Sequence, residues 1–162
     1  MEIATLDKAI EAIVRQKARW GFPMQPPCPE ELIMKLSDRV ENTLGGRLPA
    51  GYLQLLQITD GIAENALTIY ARENARDVVS DIEGRELEIP GIVEENQFYR
   101  LQNEAYHDLI LFARREEYQY AQFISTGEFI QFIDTDLDRP PRQFYDTFDE
   151  MMIAAIATAL VE

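Results

Sequence analysis

Apolar residues recur at spacings of three and four along residues 3–20. Ile3, Leu6, Ile10, Ile13 and Val14 share one side, while Glu2, Asp7, Glu11 and Arg15 fall elsewhere. That period predicts an amphipathic helix. Gly21-Phe22-Pro23 ends it, and Pro26-Pro27-Cys28-Pro29 reads as a stiff connector. A second helix is predicted from Pro29, which suits the first turn. Glu30 and Glu31 complement its N-terminal dipole, and Leu32, Leu36, Val40 and Leu44 line one face up to Gly45-Gly46. A third, short helix opens at Leu48-Pro49, carries Tyr52, Leu55 and Leu56 inward, and closes at Asp60-Gly61.

Further along, the signal weakens and then changes period. Residues 67–70 suit a strand, and residues 73–82 and 92–101 suit helices, separated by a turn near Gly84 and by Pro90-Gly91. Residues 109–113, 118–124 and 128–133 are short apolar or aromatic runs divided by charged or Ser-Thr-Gly turns, which predicts an antiparallel meander. Residues 134–141 form an acidic, proline-bearing loop, and residues 143–145 add a last short strand. Thr147 then stands three residues before Glu150, the capping-box spacing, and Phe148, Met152, Ile156 and Ala159 share one face of a closing helix. Helices first, a meander next and a helix last give an α+β fold, with the antiparallel sheet packed against the N-terminal helices and the closing C-terminal one.

Composition narrows the classes. The 162 residues, 46% hydrophobic, suit one domain over residues 1–162 with one sizeable core. No apolar run reaches the roughly 18 residues of a membrane span. Residues 1–7 lack a basic stretch followed by an apolar one, so no secretory signal is expected there. The single cysteine, Cys28, excludes an internal disulfide framework and points to the reducing cytoplasm. The net charge of −14 sets 29 acidic side chains against 15 Lys and Arg. Such a chain repels nucleic acid and anionic membranes and attracts a basic protein.

Candidate chemistry is sparse. The one histidine, His107, lies between Tyr106 and Asp108, and Cys28 has no flanking cation to activate it. One His and one Cys do not close a zinc site. Gly45-Gly46 is followed by Arg47-Leu48, so the phosphate-loop pattern is missing. Asp134, Asp136 and Asp138 alternate after an apolar strand, as in a cation site. Arg139 replaces the required glycine of a calcium loop, however, and Tyr145 its bidentate glutamate. A phosphatase of the haloacid-dehalogenase type would need a large domain after such a motif, and only 24 residues follow Asp138. Glu116-Glu117 beside Arg114-Arg115 reads as a charged hairpin tip. No catalytic set, metal site or cofactor is expected.

The run Leu48-Pro49-Ala50-Gly51-Tyr52-Leu53-Gln54-Leu55-Leu56, ending with Asp60-Gly61, resembles the Smi1/Knr4-like (SUKH) superfamily. Members show a Leu-Pro, an aromatic residue three positions on, an apolar pair and a turn ending in glycine. The helix before the motif, the strands after it and the closing Thr147-to-Glu150 signal extend the similarity from about residue 30 onward. The chain departs from the pattern at Thr59-Asp60-Gly61, where Asn-Gly is more usual. The resemblance implies fold-determining roles for Leu48, Pro49, Tyr52, Leu55, Leu56 and Gly61, and no catalysis.

Many bacterial members are immunity proteins that neutralise a cognate polymorphic toxin, often a nuclease; eukaryotic relatives are regulatory scaffolds. The expected function is therefore a non-enzymatic immunity protein that binds a basic toxin domain. Its contact surface would combine Asp134, Asp136, Asp138, Glu116 and Glu117 with an exposed aromatic, Tyr118 or Tyr120. The alternatives are a general regulatory scaffold without a toxin, and a small metal-dependent enzyme using the 134–138 carboxylates. Oligomeric state is not legible.

Overall fold

The computed structural model describes residues 3–78 and 86–161. It is α+β, with helices packed on a six-stranded antiparallel sheet. Helix α1 (Leu6–Arg19) starts later than its apolar period suggests, because Thr5 is the cap and its hydroxyl accepts the Lys8 N–H at 3.2 Å. Leu6, Ile10 and Ile13 are buried as expected, but Val14 is exposed and Gln16 and Lys17 are buried instead. In α2 (Glu30–Leu44), Pro29 sits at the cap itself, and Ile33 is buried more fully than Leu32. Helix α3 (Ala50–Ile58) follows Pro49. Helix α5 (Phe148–Ala159) is capped by Thr147, which accepts the Glu150 N–H at 3.1 Å, while the Glu150 carboxylate accepts the Asp146 N–H at 3.3 Å.

The sheet comprises β1 (Ile62–Glu64), β2 (Leu67–Ile69), β5 (Leu109–Arg115), β6 (Tyr118–Phe123), β7 (Phe129–Ile133) and β8 (Gln143–Tyr145), in the order β1-β2-β5-β6-β7-β8. Strand β1 escaped the sequence reading because three residues carry no period. Its turn to β2 places Asn65 and Ala66 at φ 45° and 70°, the two left-handed positions of a type I′ hairpin. Strands β3 (Ala75–Val78) and β4 (Glu86–Ile89) pair with each other apart from the main sheet. The helix expected over 73–82 is therefore wrong at 75–78, where antiparallel pairing overrides a weak local preference. The remainder of that segment, and the turn near Gly84, lie outside the described residues.

One apolar core runs from Leu6 to Ala159. At its centre the Tyr52 ring lies 5.6 Å from Phe112 and 6.2 Å from Phe148, and Phe148 lies 6.1 Å from Phe129. These rings pin α3 and α5 to the sheet. Helix α1 is latched to α5 by Gln16. Its amide donates to Ala159 C=O (2.9 Å) and Glu64 Oε2 (2.8 Å), and its oxygen accepts the Val161 N–H (2.7 Å).

Helix α4 (Ile92–Gln102) and the 3₁₀ helix Glu104–Asp108 complete the fold. Strand β2 is too short to cover all of β5, and backbone pairing stops where Tyr70 N–H meets Phe112 C=O. Beyond that point α4 supplies side-chain partners. Asn96, buried, accepts the Leu111 N–H at 2.8 Å and donates to Leu111 C=O at 3.0 Å; Arg100, one turn on, donates to Leu109 C=O at 3.0 Å. A helix thus closes the open part of a strand edge.

Candidate functional site

The structure brings the hairpin tip and the acidic loop together. Glu116-Glu117 forms the two-residue turn between β5 and β6, and the Asp134 N–H donates to Glu117 C=O at 2.8 Å. The five carboxylates expected at the surface differ in what they meet. Asp134 has a side chain only 7% exposed, 3.7 Å from Arg114, and accepts the Tyr99 hydroxyl at 3.4 Å and the Gln119 amide at 3.5 Å. It is a structural acid. Asp136 pairs with Arg139 at 2.8 Å, and Glu116 lies 4.0 Å from Arg115. Glu117 and Asp138 form no ion pair among the described residues and are exposed.

The two tyrosines do not serve as expected. Tyr120 is 2% exposed and its hydroxyl accepts from Gln131 at 3.3 Å, so it is core rather than a surface anchor. Both faces of β6 are covered at its middle, since Tyr120 and Gln119 point to opposite sides and are equally buried. Burial pushes the Tyr120 phenol up to about 12. Tyr118 is half-buried, with the Arg142 guanidinium 5.2 Å above its ring and donating to its hydroxyl at 2.9 Å. Its face is occupied.

Another aromatic takes the place at the surface. A groove of about 360 Å³ runs between α4 and the acidic loop, lined by Phe98, Tyr99, Tyr106, Arg114, Asp134 and Leu137 among others. Phe98 is 54% exposed and Leu101, three residues on, 88%. Behind them a ladder of rings leads inward: Phe98 to Tyr99 at 5.5 Å, Tyr99 to Tyr106 at 5.0 Å, Tyr106 to Phe132 at 6.2 Å. Burial, reinforced by the Asp134 carboxylate, pushes the Tyr106 phenol up to about 12. Arg114 separates this groove from a second one lined by Tyr70, Glu88, Glu95 and Glu116. Burial raises the Glu95 carboxyl; Arg114 opposes that effect and Glu88 adds to it. Sequence reasoning missed Phe98 and Leu101, although both fall out of phase with Ile92, Val93 and Asn96, which α4 buries.

The groups weighed for catalysis are placed unhelpfully for it. Cys28 is buried beside Pro29 C=O (3.7 Å), and burial, then Asp60, raise its pKa, the opposite of an activated thiol. His107 is exposed on the 3₁₀ helix. Among the described residues no group of three or more His, Cys, Asp or Glu is arranged to hold a metal ion, and no helix is long and apolar enough to cross a membrane.

The residues of the Leu-Pro motif sit in the core. Leu48, Tyr52, Leu55 and Leu56 are buried, Pro49 precedes α3, and the Tyr52 hydroxyl donates to Tyr70 C=O at 2.6 Å. Gly61 has φ 86°, and a Cβ there would come within 2.9 Å of Ala71 Cβ and 3.1 Å of Ile69 C=O, so both backbone and space demand glycine. The chain matches no protein-family model and no curated protein.

Proposed function

We propose that this chain is a non-enzymatic protein-binding domain of the Smi1/Knr4-like (SUKH) type, acting as a cytoplasmic immunity protein that neutralises a basic toxin domain by covering it. The observation that carries the reading is electrostatic. The chain bears −14, and the cations nearest the acidic end of the sheet are engaged internally: Arg114 with Asp134, Arg139 with Asp136, Arg142 with Tyr118. Glu117 and Asp138 therefore meet an approaching partner unopposed. A nuclease domain is cationic where it holds phosphate, so an acidic inhibitor gains association rate and selectivity. The burial of Leu48, Tyr52, Leu55 and Leu56 and the positive φ of Gly61 support the family reading. Cys28, unpaired and buried, suits a reducing compartment.

The partner to test is the variable C-terminal domain of a large secreted protein, sought among the genes beside the one for this chain. That domain should lose its activity at equimolar chain, and raising salt should slow association steeply. Full toxin activity in the presence of excess chain would overturn the reading. Stable complexes with several unrelated regulatory proteins instead would put a scaffold in its place.

A further inference from the structure

Resting on that reading, we infer that the partner docks on the outer face of α4, with Phe98 and Leu101 as the apolar centre and the surrounding carboxylates gripping lysines and arginines of a basic protein. Three observations converge. Phe98 and Leu101 stand three residues apart on one side of the helix, both exposed, while Asn96 and Arg100 hold the opposite side to β5 through backbone bonds at Leu111 and Leu109. The exposed pair is thus presented from a fixed helix rather than a loop, which lowers the ordering cost of binding. The ring ladder from Phe98 to Phe132 backs the surface with rigid aromatic packing.

Charge selects the occupant. Glu94, which also pairs with Arg39 at 3.0 Å, and Glu95 precede Phe98 by one helical turn, Glu104 follows Leu101 by three residues, and Leu137 lies in the facing loop beside Asp136 and Asp138. Arg114, the cation within the groove, is held by Asp134, the Tyr99 hydroxyl (2.9 Å) and Glu116 C=O (2.7 Å). An apolar centre with an acidic rim is complementary to a basic protein surface carrying an apolar side chain. A second copy of this chain, itself at −14, would be repelled. Of the other exposed aromatics, Trp20 ends a helix bearing Lys8, Arg15 and Arg19, and Phe144 stands alone on the edge strand β8, two residues from Arg142, so neither has this acidic rim around an apolar pair.

The test uses a synthetic amphipathic peptide of lysine and leucine as the probe, titrated into the ¹⁵N-labelled full chain at low salt. Amide shifts concentrated at residues 94–104 and 134–138 are expected. The Phe98→Gln/Leu101→Gln variant should weaken binding about tenfold or more, the scale of a hot-spot pair. Trp20→Gln should change it less than about twofold. Both side chains are exposed, and an unchanged amide spectrum of the free double variant verifies that it folds. Shifts centred on α1, or equal losses in both variants, would overturn the α4 face while leaving charge-driven capture intact. No binding at low salt would overturn both.

Discussion

Asn96 offers the sharpest test of how this fold is held. Replacing it by Ala removes the side chain that bridges α4 to Leu111, and strands a buried N–H and a buried C=O that β2 is too short to reach. Each orphaned group costs about 1–3 kcal/mol, so a loss of about 2–6 kcal/mol is expected. At this chain length that lowers Tm by roughly 5–20 °C. Asn96→Asp separates the donor from the acceptor. As a carboxylate it keeps the bond from the Leu111 N–H but places an anion against Leu111 C=O. Protonated, it restores both bonds.

Burial and that carbonyl should lift the folded-state pKa of the new carboxyl above its ordinary value of about 3.9. The folded state then binds the proton more tightly. The variant should approach wild type below the unfolded-state pKa and lose stability as pH rises from there through the folded-state value. Urea unfolding across pH, followed by far-UV circular dichroism, is the assay, because the sole tryptophan, Trp20, is 68% exposed and a poor reporter of unfolding. An Asn96→Ala loss under about 1 kcal/mol, or an Asn96→Asp penalty unchanged with pH, would refute the account of how the β5 edge is closed.

Four further outcomes follow from the geometry. Ala66→Gly should raise stability by about 1 kcal/mol in thermal melts, because Ala66 sits at φ 70° where an L side chain is strained. Asp134→Ala should cost about 1–3 kcal/mol in the same assay, since it strips Arg114 and Tyr99 of a buried acceptor. Asp138→Ala, by contrast, should stay within about 0.5 kcal/mol. Asp60 and Glu95 both have carboxyls raised mainly by burial, so the folded state holds their protons more tightly than the unfolded chain does. Their contribution to stability should fall as pH rises from the unfolded carboxyl range toward neutrality, and Glu95→Gln should shrink that fall in urea midpoints.

What could be read from the chain follows physical scale. Helices α1, α2, α3 and α5 and strands β5, β6 and β7 show sustained periods or marked caps, and they stand where Leu6–Ile13, Pro49, Thr147 and the Ser125-Thr126-Gly127 turn indicate. Strands of three or four residues carry little period of their own, so β1 was missed and β3 resembled a helix, although β2 and β8, equally short, were placed. Exposure at the candidate site was harder still. Tyr120 and Tyr118 look equivalent in sequence and share a face of β6; what separates them is position along the strand, Tyr120 lying under α5 and Tyr118 at the strand end beside Arg142. Phe98 was not singled out, because a helix that satisfies a strand edge with Asn96 and Arg100 turns polar residues inward, inverting the usual pattern. Asp134 looked like its neighbours at 136 and 138 until Arg114, twenty residues away in the chain, was placed against it.

The Gln16 latch has a consequence for how the protein is made. Its bonds to Ala159 and Val161 span 143 and 145 positions, so α1 leaves the ribosome well before the segment that it pairs with has been made. Throughout elongation the Leu6–Ile10–Ile13 stripe has no α5 to cover it. Such long-range closure slows folding and leaves a sticky intermediate in the cell, one that a nascent-chain chaperone holding α1 would protect.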